Sequence, residues 1–308
     1  MLVCVKNFLL PVLTSILLFV LVIAFVDSNG KEVVNFASPK IQNEKVLGVN
    51  QWFPKFEEGS FADALIVHAK AALFVDSRSG KVLYSKDSQE KLPIASLAKV
   101  MTALIALEHK SLEDKYVVSQ RATEMEPDEM ILLPGETLTL KELLYGIFLV
   151  SANDAAWVLA EGTTGDKEEF VRLMNSKATQ LGMKDTHFVN PTGLDEDFGS
   201  SFSTAYDMVI LTRYLIREYP EVVGISKTPY IFIPETQNHQ SYEMYSGINL
   251  LTSYPGVVGF KTGYTPEAGL TLITLARKDG KEVIGVLLDS PYRRDEARLL
   301  LDYSFARP

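Results

Sequence analysis

Three short motifs in this chain carry side chains that could perform acyl transfer. The first, Ser96-Leu97-Ala98-Lys99, places a hydroxyl and an ammonium group three residues apart, on one face of a helix. A serine hydroxyl is a weak nucleophile until a neighbouring base accepts its proton, and a lysine whose pKa is lowered by burial can be that base. With Ser96 as the helix N-cap, the positive end of the helix dipole would also favour a developing oxyanion. Chance supplies such spacings freely, so this motif needs support from the rest of the chain.

The second and third motifs supply that support. Ser151-Ala152-Asn153 lies in a predicted turn between helices, where its hydroxyl could relay a proton and its amide could hold a carbonyl. Lys261-Thr262-Gly263 precedes a predicted hairpin, so its cation and hydroxyl are expected on an edge strand that binds a carboxylate. Alone, each is equally typical of an ordinary turn or strand end. In this order, the three motifs match the signature of penicillin-binding proteins and class A β-lactamases.

The elements that must position these motifs follow from hydrophobic periodicity and turn residues. Strands are predicted near both ends of the folded part, at 71–76, 81–85, 270–276 and 282–288, the last two joined by an Asp-Gly turn. Helices are predicted between them and at the end, at 96–109, 140–149, 155–161, 170–181, 205–217 and 295–305. The predicted fold class is therefore α+β, with one antiparallel sheet built from both termini, flanked by helices and interrupted by a large helical insertion.

Composition excludes several other kinds of protein. The chain has 308 residues, 47% of them hydrophobic, and a net charge of −9, which argues against nucleic-acid binding because phosphate contacts need a basic face. Its single cysteine, Cys4, cannot form an intrachain disulfide. The four histidines are scattered without metal-ligand spacing, so neither a metal site nor a cofactor is predicted.

The N-terminal segment is predicted to target the chain to the membrane. Phe8–Val26 is almost wholly apolar and follows Lys6, and a run of this length can span a bilayer. Residues 1–27 are therefore expected to be a membrane anchor or a signal segment, with an uncleaved anchor favoured because the end of the run fits a cleavage site poorly. Residues 28–64 are expected to be a linker and 65–308 an extracytoplasmic catalytic domain.

The resemblance to a known family extends well beyond the three motifs. Longer stretches around them resemble the D-alanyl-D-alanine carboxypeptidases, the low-molecular-mass penicillin-binding proteins of serine peptidase family S11. These stretches are Pro93–Leu104, Leu143–Gly146 leading into Ser151–Ala156, Phe188–Leu194, and Tyr254–Thr265 with Ala268-Gly269. The resemblance covers about Ala69 to Phe305, the whole presumed catalytic domain.

The resemblance implies a penicillin-binding-protein transpeptidase-like fold and a serine acyl-enzyme mechanism. By motif, Ser96 would attack the D-Ala-D-Ala carbonyl of a peptidoglycan stem peptide and Lys99 would accept its proton. Ser151 and Asn153 would assist proton transfer and hold the substrate. The terminal carboxylate of the substrate would bind Lys261 and Thr262 of the strand that carries Lys261-Thr262-Gly263. The backbone N–H groups of Ser96 and Tyr264 would form the oxyanion hole. β-Lactams would acylate Ser96 in the same way.

The chain departs from the family pattern in three places. Many members have threonine where Ala98 stands, but this position varies within the motif. Many continue into a β-rich domain and a C-terminal amphipathic anchor, which are not expected here, so the N-terminal span would take over the anchoring. Members also often carry an arginine entering the last strand, where this chain has Lys281-Glu282, which leaves carboxylate recognition open.

Three alternatives to a carboxypeptidase remain. A D,D-endopeptidase would cut peptidoglycan cross-links with the same residues. A class A-like β-lactamase would need an added deacylating glutamate, for which Glu161, Glu168 and Glu169 lie in the appropriate part of the chain. A non-catalytic wall-binding module would have lost part of the catalytic set, yet all the expected side chains are present.

Overall fold

The computed structural model describes residues 52–56, 65–196 and 199–307. The strands in this part are β1 (Ala71–Asp76), β2 (Val82–Lys86), β3 (Leu92–Pro93), β4 (Lys115–Val117), β5 (Thr137–Thr139), β6 (Phe202–Ser203), β7 (Tyr230–Ile233), β8 (Tyr242–Tyr245), β9 (Val257–Thr265), β10 (Gly269–Lys278) and β11 (Lys281–Leu288). The α-helices are α1 (Lys99–His109), α2 (Leu140–Tyr145), α3 (Asn153–Thr164), α4 (Lys167–Gln180), α5 (Ala205–Glu218), α6 (Glu221–Ser226), α7 (Leu250–Ser253) and α8 (Arg293–Ala306).

The central sheet joins strands from both ends of the folded part. It has five antiparallel strands in the order β2-β1-β11-β10-β9, and Ala71 of β1 pairs with Leu288 of β11. The turn between β10 and β11 is Asp279-Gly280, and both residues have positive φ, at 50° and 77°, which the predicted Asp-Gly hairpin requires. The predicted fold class is confirmed.

Helices cover both faces of this sheet. Because side chains alternate along a strand, Leu73 and Val75 of β1 enter the core beneath the helical insertion, while Phe74 enters a second core beneath α8. Helix α1 is buried on all sides from Lys99 to Leu107, so it forms the centre of the insertion. The first motif leads into α1, and the third motif lies on the edge strand β9.

Part of the predicted linker contacts the folded domain. The Lys55 N–H donates to the Gly80 carbonyl at 2.7 Å, and the Arg213 guanidinium lies 4.2 Å from the centre of the Trp52 ring. The boundary at residue 65 stays a prediction. The predicted membrane segment, residues 1–27, lies outside the described residues. Within the described ranges, no helix combines the length and the apolar character needed to cross a bilayer.

Candidate active site

Ser96 lies on a short 3-10 helix, Ala95–Ala98, that leads directly into α1. The expectation that Ser96 caps α1 is wrong. Ser96 lies inside the 3-10 helix, α1 begins only at Lys99, and no side chain caps either helix. Its hydroxyl instead receives a hydrogen bond from Lys99 Nζ at 2.8 Å. Ser96 is 7% exposed, so its oxygen lies at the floor of the site and not on the open surface.

Lys99 is completely buried and is held by neutral oxygens. Besides Ser96, its ammonium group donates to Asn153 Oδ1 at 2.7 Å and to the Thr192 carbonyl at 2.8 Å. Burial lowers the pKa of Lys99 well below its ordinary value, and the positive charge of Lys261 lowers it further. Both effects favour the neutral amine, which is the form that can accept a proton from Ser96.

The second motif lies where a helix changes its winding. The predicted helix 140–149 is divided into α2 and a π-helix, Gly146–Val150, which ends at Ser151 in the left-handed region with φ 64°. Helix α3 then begins at Asn153. This bend turns the Ser151 hydroxyl towards β9, while Asn153 points towards Lys99.

Lys261 connects the third motif to the second. It lies on β9, the edge strand, as predicted, and its ammonium group donates to Ser151 Oγ at 2.8 Å and to the Thr262 carbonyl at 2.7 Å. Burial lowers its pKa to about 7. The site therefore holds two hydroxyl–lysine pairs, Ser96 with Lys99 and Ser151 with Lys261.

Gly263 is required by the close approach of β9 to Ser96. A Cβ atom at this position would lie 2.6 Å from Thr271 Oγ1 and 3.0 Å from the Ser96 backbone nitrogen. Only glycine lets the strand edge lie against the backbone of Ser96. Tyr264 follows on β9 and is 62% exposed.

Arg293 is a site residue that the sequence reasoning missed. The position where an arginine was sought, Glu282, instead forms ion pairs with Arg217 and Arg277. Arg293, at the start of α8, donates to the carbonyls of Gly263 at 2.6 Å and of Thr271 at 3.1 Å. A small cavity beside it is lined by Asn249, Leu250, Thr262 and Leu272. The Arg293-Arg294 pair preceding a helical pattern was the available signal.

Asp154 was also missed, although it directly follows the second motif. Its carboxylate is fully buried and accepts backbone hydrogen bonds from Met130 and Leu132, both at 3.1 Å, and from Ala155 at 2.7 Å. It thereby fixes a loop whose carbonyls bind Asn153. The Asn153 amide donates to the Pro127 carbonyl, and its backbone N–H donates to the Asp128 carbonyl at 2.7 Å.

The glutamates considered for a β-lactamase role have other partners. Glu161 accepts from Ser119 Oγ at 2.5 Å and from Trp157 Nε1 at 2.8 Å. Glu169 pairs with Arg172 in the first turn of α4, beside Glu168. Across the described ranges, no group of three or more His, Cys, Asp or Glu side chains is placed to hold a metal ion.

Comparison with known sequences identifies the family. The model of peptidase family S11, D-alanyl-D-alanine carboxypeptidase, matches residues 59–292. The chain belongs to this family. D-alanyl-D-alanine carboxypeptidase DacF of Bacillus subtilis (strain 168) is 37% identical over 259 residues, covering 82% of this chain and 66% of the relative. A D-alanyl-D-alanine endopeptidase of Pseudomonas aeruginosa is 34% identical, covering 71% of each chain.

Solved structures of similar proteins share the fold. A D-alanyl-D-alanine carboxypeptidase from Mycobacterium tuberculosis H37Rv superimposes with a TM-score of 0.74 and 33% identity, covering 82% of this chain and 97% of the other. Penicillin-binding protein D2 from Listeria monocytogenes, in a cefotaxime-bound form, gives a TM-score of 0.65 and 32% identity, covering 78% and 98%. The predicted family is thus confirmed, while the roles of individual site residues stay predictions.

Proposed function

We propose that the chain is a serine-type D-Ala-D-Ala carboxypeptidase that removes the terminal D-alanine from peptidoglycan stem peptides. The observation that carries the proposal is the 2.8 Å contact between Ser96 Oγ and the buried Lys99, whose pKa is lowered by its surroundings. Such a pair can generate a nucleophilic alkoxide at neutral pH.

In the acylation step, Lys99 takes the Ser96 proton as the oxygen attacks the carbonyl carbon of the penultimate D-alanine. The resulting oxyanion accepts hydrogen bonds from the backbone N–H groups of Ser96 and Tyr264, an arrangement consistent with the close approach of β9 to Ser96. The C–N bond then breaks, and the proton that Lys99 took from Ser96 passes to the D-alanine nitrogen through Ser151, which is hydrogen-bonded to Lys261. Lys99 is thereby neutral again. D-Alanine leaves, and the peptide remains esterified to Ser96.

In the deacylation step, a water molecule replaces the departed D-alanine. Lys99 accepts a proton from this water as it attacks the ester, and the proton then returns to Ser96 as the ester bond breaks. Because the step reuses the same base, no additional carboxylate is required. The partners found for Glu161 and Glu169 agree with this path.

The substrate carboxylate would bind at the edge of β9. Lys261 supplies a cation, Thr262 supplies a hydroxyl, and Arg293 lies behind Thr262 with its guanidinium held by two carbonyls. A carboxylate at this position would face two positive charges, and its binding would raise the pKa of Lys261 towards the protonated form. Arg293 thus fills the role for which the sequence offered no arginine near the last strand.

The test is release of D-alanine from a D-Ala-D-Ala pentapeptide, followed by mass spectrometry. The wild-type chain should remove one alanine, whereas Ser96→Ala should remove none and Ser176→Ala, an exposed serine on α4, should match the wild type. Penicillin should add covalently to the wild type and to Ser176→Ala but not to Ser96→Ala. Undiminished D-alanine release by Ser96→Ala would refute the catalytic assignment.

A D,D-endopeptidase is the second candidate, because the Pseudomonas relative carries that name. A cross-linked muropeptide dimer in the same assay separates the two activities, since only an endopeptidase converts it to monomers. Rapid penicillin turnover would instead favour a β-lactamase, and binding without turnover of any substrate would favour a wall-binding module.

The proposed setting is extracytoplasmic, where peptidoglycan lies. We further propose that the apolar segment Phe8–Val26 tethers the enzyme to the cell membrane. Fractionation of cells that express the full chain tests this: the enzyme should sediment with membranes, and replacing residues 1–27 with a cleavable secretion signal should release it. Equal release of both forms would contradict the tether.

A further inference from the structure

A hairpin next to the active site exposes a row of aromatic rings. Strands β7 and β8 pair so that Tyr230 lies opposite Tyr245 and Phe232 opposite Glu243. The inward residues Tyr242 and Met244 are buried, whereas the outward rings of Tyr230, Phe232 and Tyr245 are 43%, 55% and 65% exposed. We call these three rings with Glu243 the aromatic face. Strand alternation alone does not require aromatic residues on a solvent side, and neighbouring exposed rings on one face are typical of a binding surface.

The aromatic face is organised and fixed in place. The Tyr230 and Tyr245 rings lie 4.7 Å apart at an angle of 40°, and the Tyr245 hydroxyl donates to Glu243 at 3.0 Å. The far end of the hairpin is held by Gln240, whose amide donates to the Ile131 carbonyl at 2.9 Å. The rings therefore present a preformed surface that loses little conformational entropy on binding.

The position of the aromatic face places it within reach of a bound stem peptide. Tyr245 is followed by Ser246 and Gly247, and the Gly247 N–H donates to the Leu149 carbonyl at 2.9 Å, two residues before Ser151. Gly247 also lines the cavity beside Thr262. From these chain lengths, Tyr245 lies within about 20 Å of Ser151, and an extended pentapeptide spans up to about 17 Å. A group attached to the stem peptide can therefore contact the rings.

The charge of this region selects among possible ligands. Residues 228–260 contain no lysine or arginine, and the aromatic face carries the carboxylate of Glu243. An anionic lipid surface or a phosphate polymer would be repelled. A neutral sugar fits, because the C–H face of a pyranose packs on aromatic rings and its hydroxyl groups can donate to a carboxylate and to tyrosine oxygens.

We infer that the aromatic face binds the glycan portion of the substrate, an N-acetylhexosamine ring of the strand that carries the stem peptide. This inference rests on the proposed function for the identity of the peptide, and it extends the substrate from a peptide to a glycopeptide. The face would lower the KM for glycan-bearing substrates without touching the scissile bond.

The experiment compares two substrates of the full chain, a disaccharide-pentapeptide and the same pentapeptide without sugar. Phe232→Ala and Tyr245→Ala should each raise the KM for the glycopeptide about five- to tenfold, with kcat and all constants for the free peptide unchanged. Tyr245→Phe keeps the ring and should restore most of the affinity. Phe56→Ala is the matched control, because Phe56 is also an exposed aromatic residue, at 49%. It lies at the opposite edge of the sheet, where its neighbour Lys55 pairs with Lys81 beside β2.

Binding without turnover separates this inference from the proposed function. Calorimetry of the disaccharide-pentapeptide with Ser96→Ala should show the same loss of affinity when Tyr245→Ala is added, even if the wild type released no D-alanine. Equal effects on both substrates, or none on either, would overturn the inference. The inference would also be overturned if the wild-type chain bound anionic vesicles and Tyr245→Ala did not, or if the wild type were a dimer and Tyr245→Ala a monomer. Each result would assign the rings to another occupant.

Discussion

Replacing Lys261 with methionine should stabilise the folded protein at neutral pH while abolishing its activity. Lys261 is 1% exposed, and burial lowers its pKa from the ordinary 10.5 to about 7. Methionine has a similar shape and no charge, so the substitution removes a buried cation without opening a large cavity. Activity should be lost because the carboxylate and Ser151 lose their cation.

The size of the effect follows from proton linkage. A lysine whose folded pKa lies below its unfolded pKa destabilises the fold fully below the folded value, and this penalty disappears as the pH rises to the unfolded value. With an unfolded pKa of 10.5 and a folded pKa of about 7, the penalty is about 4 kcal/mol at pH 7 and about 2 kcal/mol at pH 9. The lost hydrogen bonds to Ser151 and Thr262 cost about 1 kcal/mol each. The net gain should therefore be about 2 kcal/mol at pH 7 and close to zero at pH 9.

Urea denaturation at pH 7 and pH 9 measures this difference. The control is Lys184→Met, an exposed lysine whose replacement should change the free energy of unfolding little and equally at both pH values. The reasoning fails if Lys261→Met is less stable than the wild type at pH 7. It also fails if the gain is the same at pH 7 and pH 9, because the stabilisation would then not come from an uncharged side chain.

Three further substitutions test the geometry of the site. Gly263→Ala should slow acylation by penicillin at least about tenfold, because the added Cβ atom meets the Ser96 backbone. The control is Gly224→Ala, which has open space around it and should be acylated at the wild-type rate. Equal acylation rates of the two variants would contradict this reasoning. Asp154→Asn should lower the free energy of unfolding by about 2–3 kcal/mol in urea and also slow acylation, since a buried charge-assisted network is broken. The control is Asp295→Asn, which removes an exposed ion pair with Arg294 and should lower the free energy of unfolding by under about 1 kcal/mol. Lys99→Arg should reduce D-alanine release by about 10²–10⁴-fold, because arginine cannot act as the base; a rate near that of the wild type would exclude Lys99 from proton transfer.

Much of the fold could be predicted because local patterns determine it. The Asp279-Gly280 turn specifies its hairpin through positive φ, and the alternating strands on either side fix which residues face each core. The placement of Lys261 on an edge strand followed from that hairpin. The spacing of Ser96 and Lys99 predicted their contact even though the helix start was misjudged, because 3-10 and α-helical turns both place residues three apart on nearly the same side.

The remaining site residues depend on contacts that are distant in sequence. Arg293 reaches Gly263 and Thr271 only because the first residue of α8 lies beside the paired strands β9 and β10, a placement that no local pattern encodes. Asp154 acts on a loop more than 20 residues earlier, and its own neighbours suggested only the first turn of a helix. In both cases the chemistry lies in backbone partners, which leave no mark on the side-chain sequence.

The two buried lysines explain how the site is poised for a negatively charged substrate. The ammonium groups of Lys99 and Lys261 donate to neutral oxygens, and burial disfavours the charged form of each lysine. The positive charge of Lys261 further lowers the pKa of Lys99. A substrate carboxylate beside Lys261 would pair with that cation and raise the pKa of Lys261. Binding of the substrate carboxylate would thus offset the cost of burying the Lys261 cation, the same cost that the Lys261→Met substitution removes.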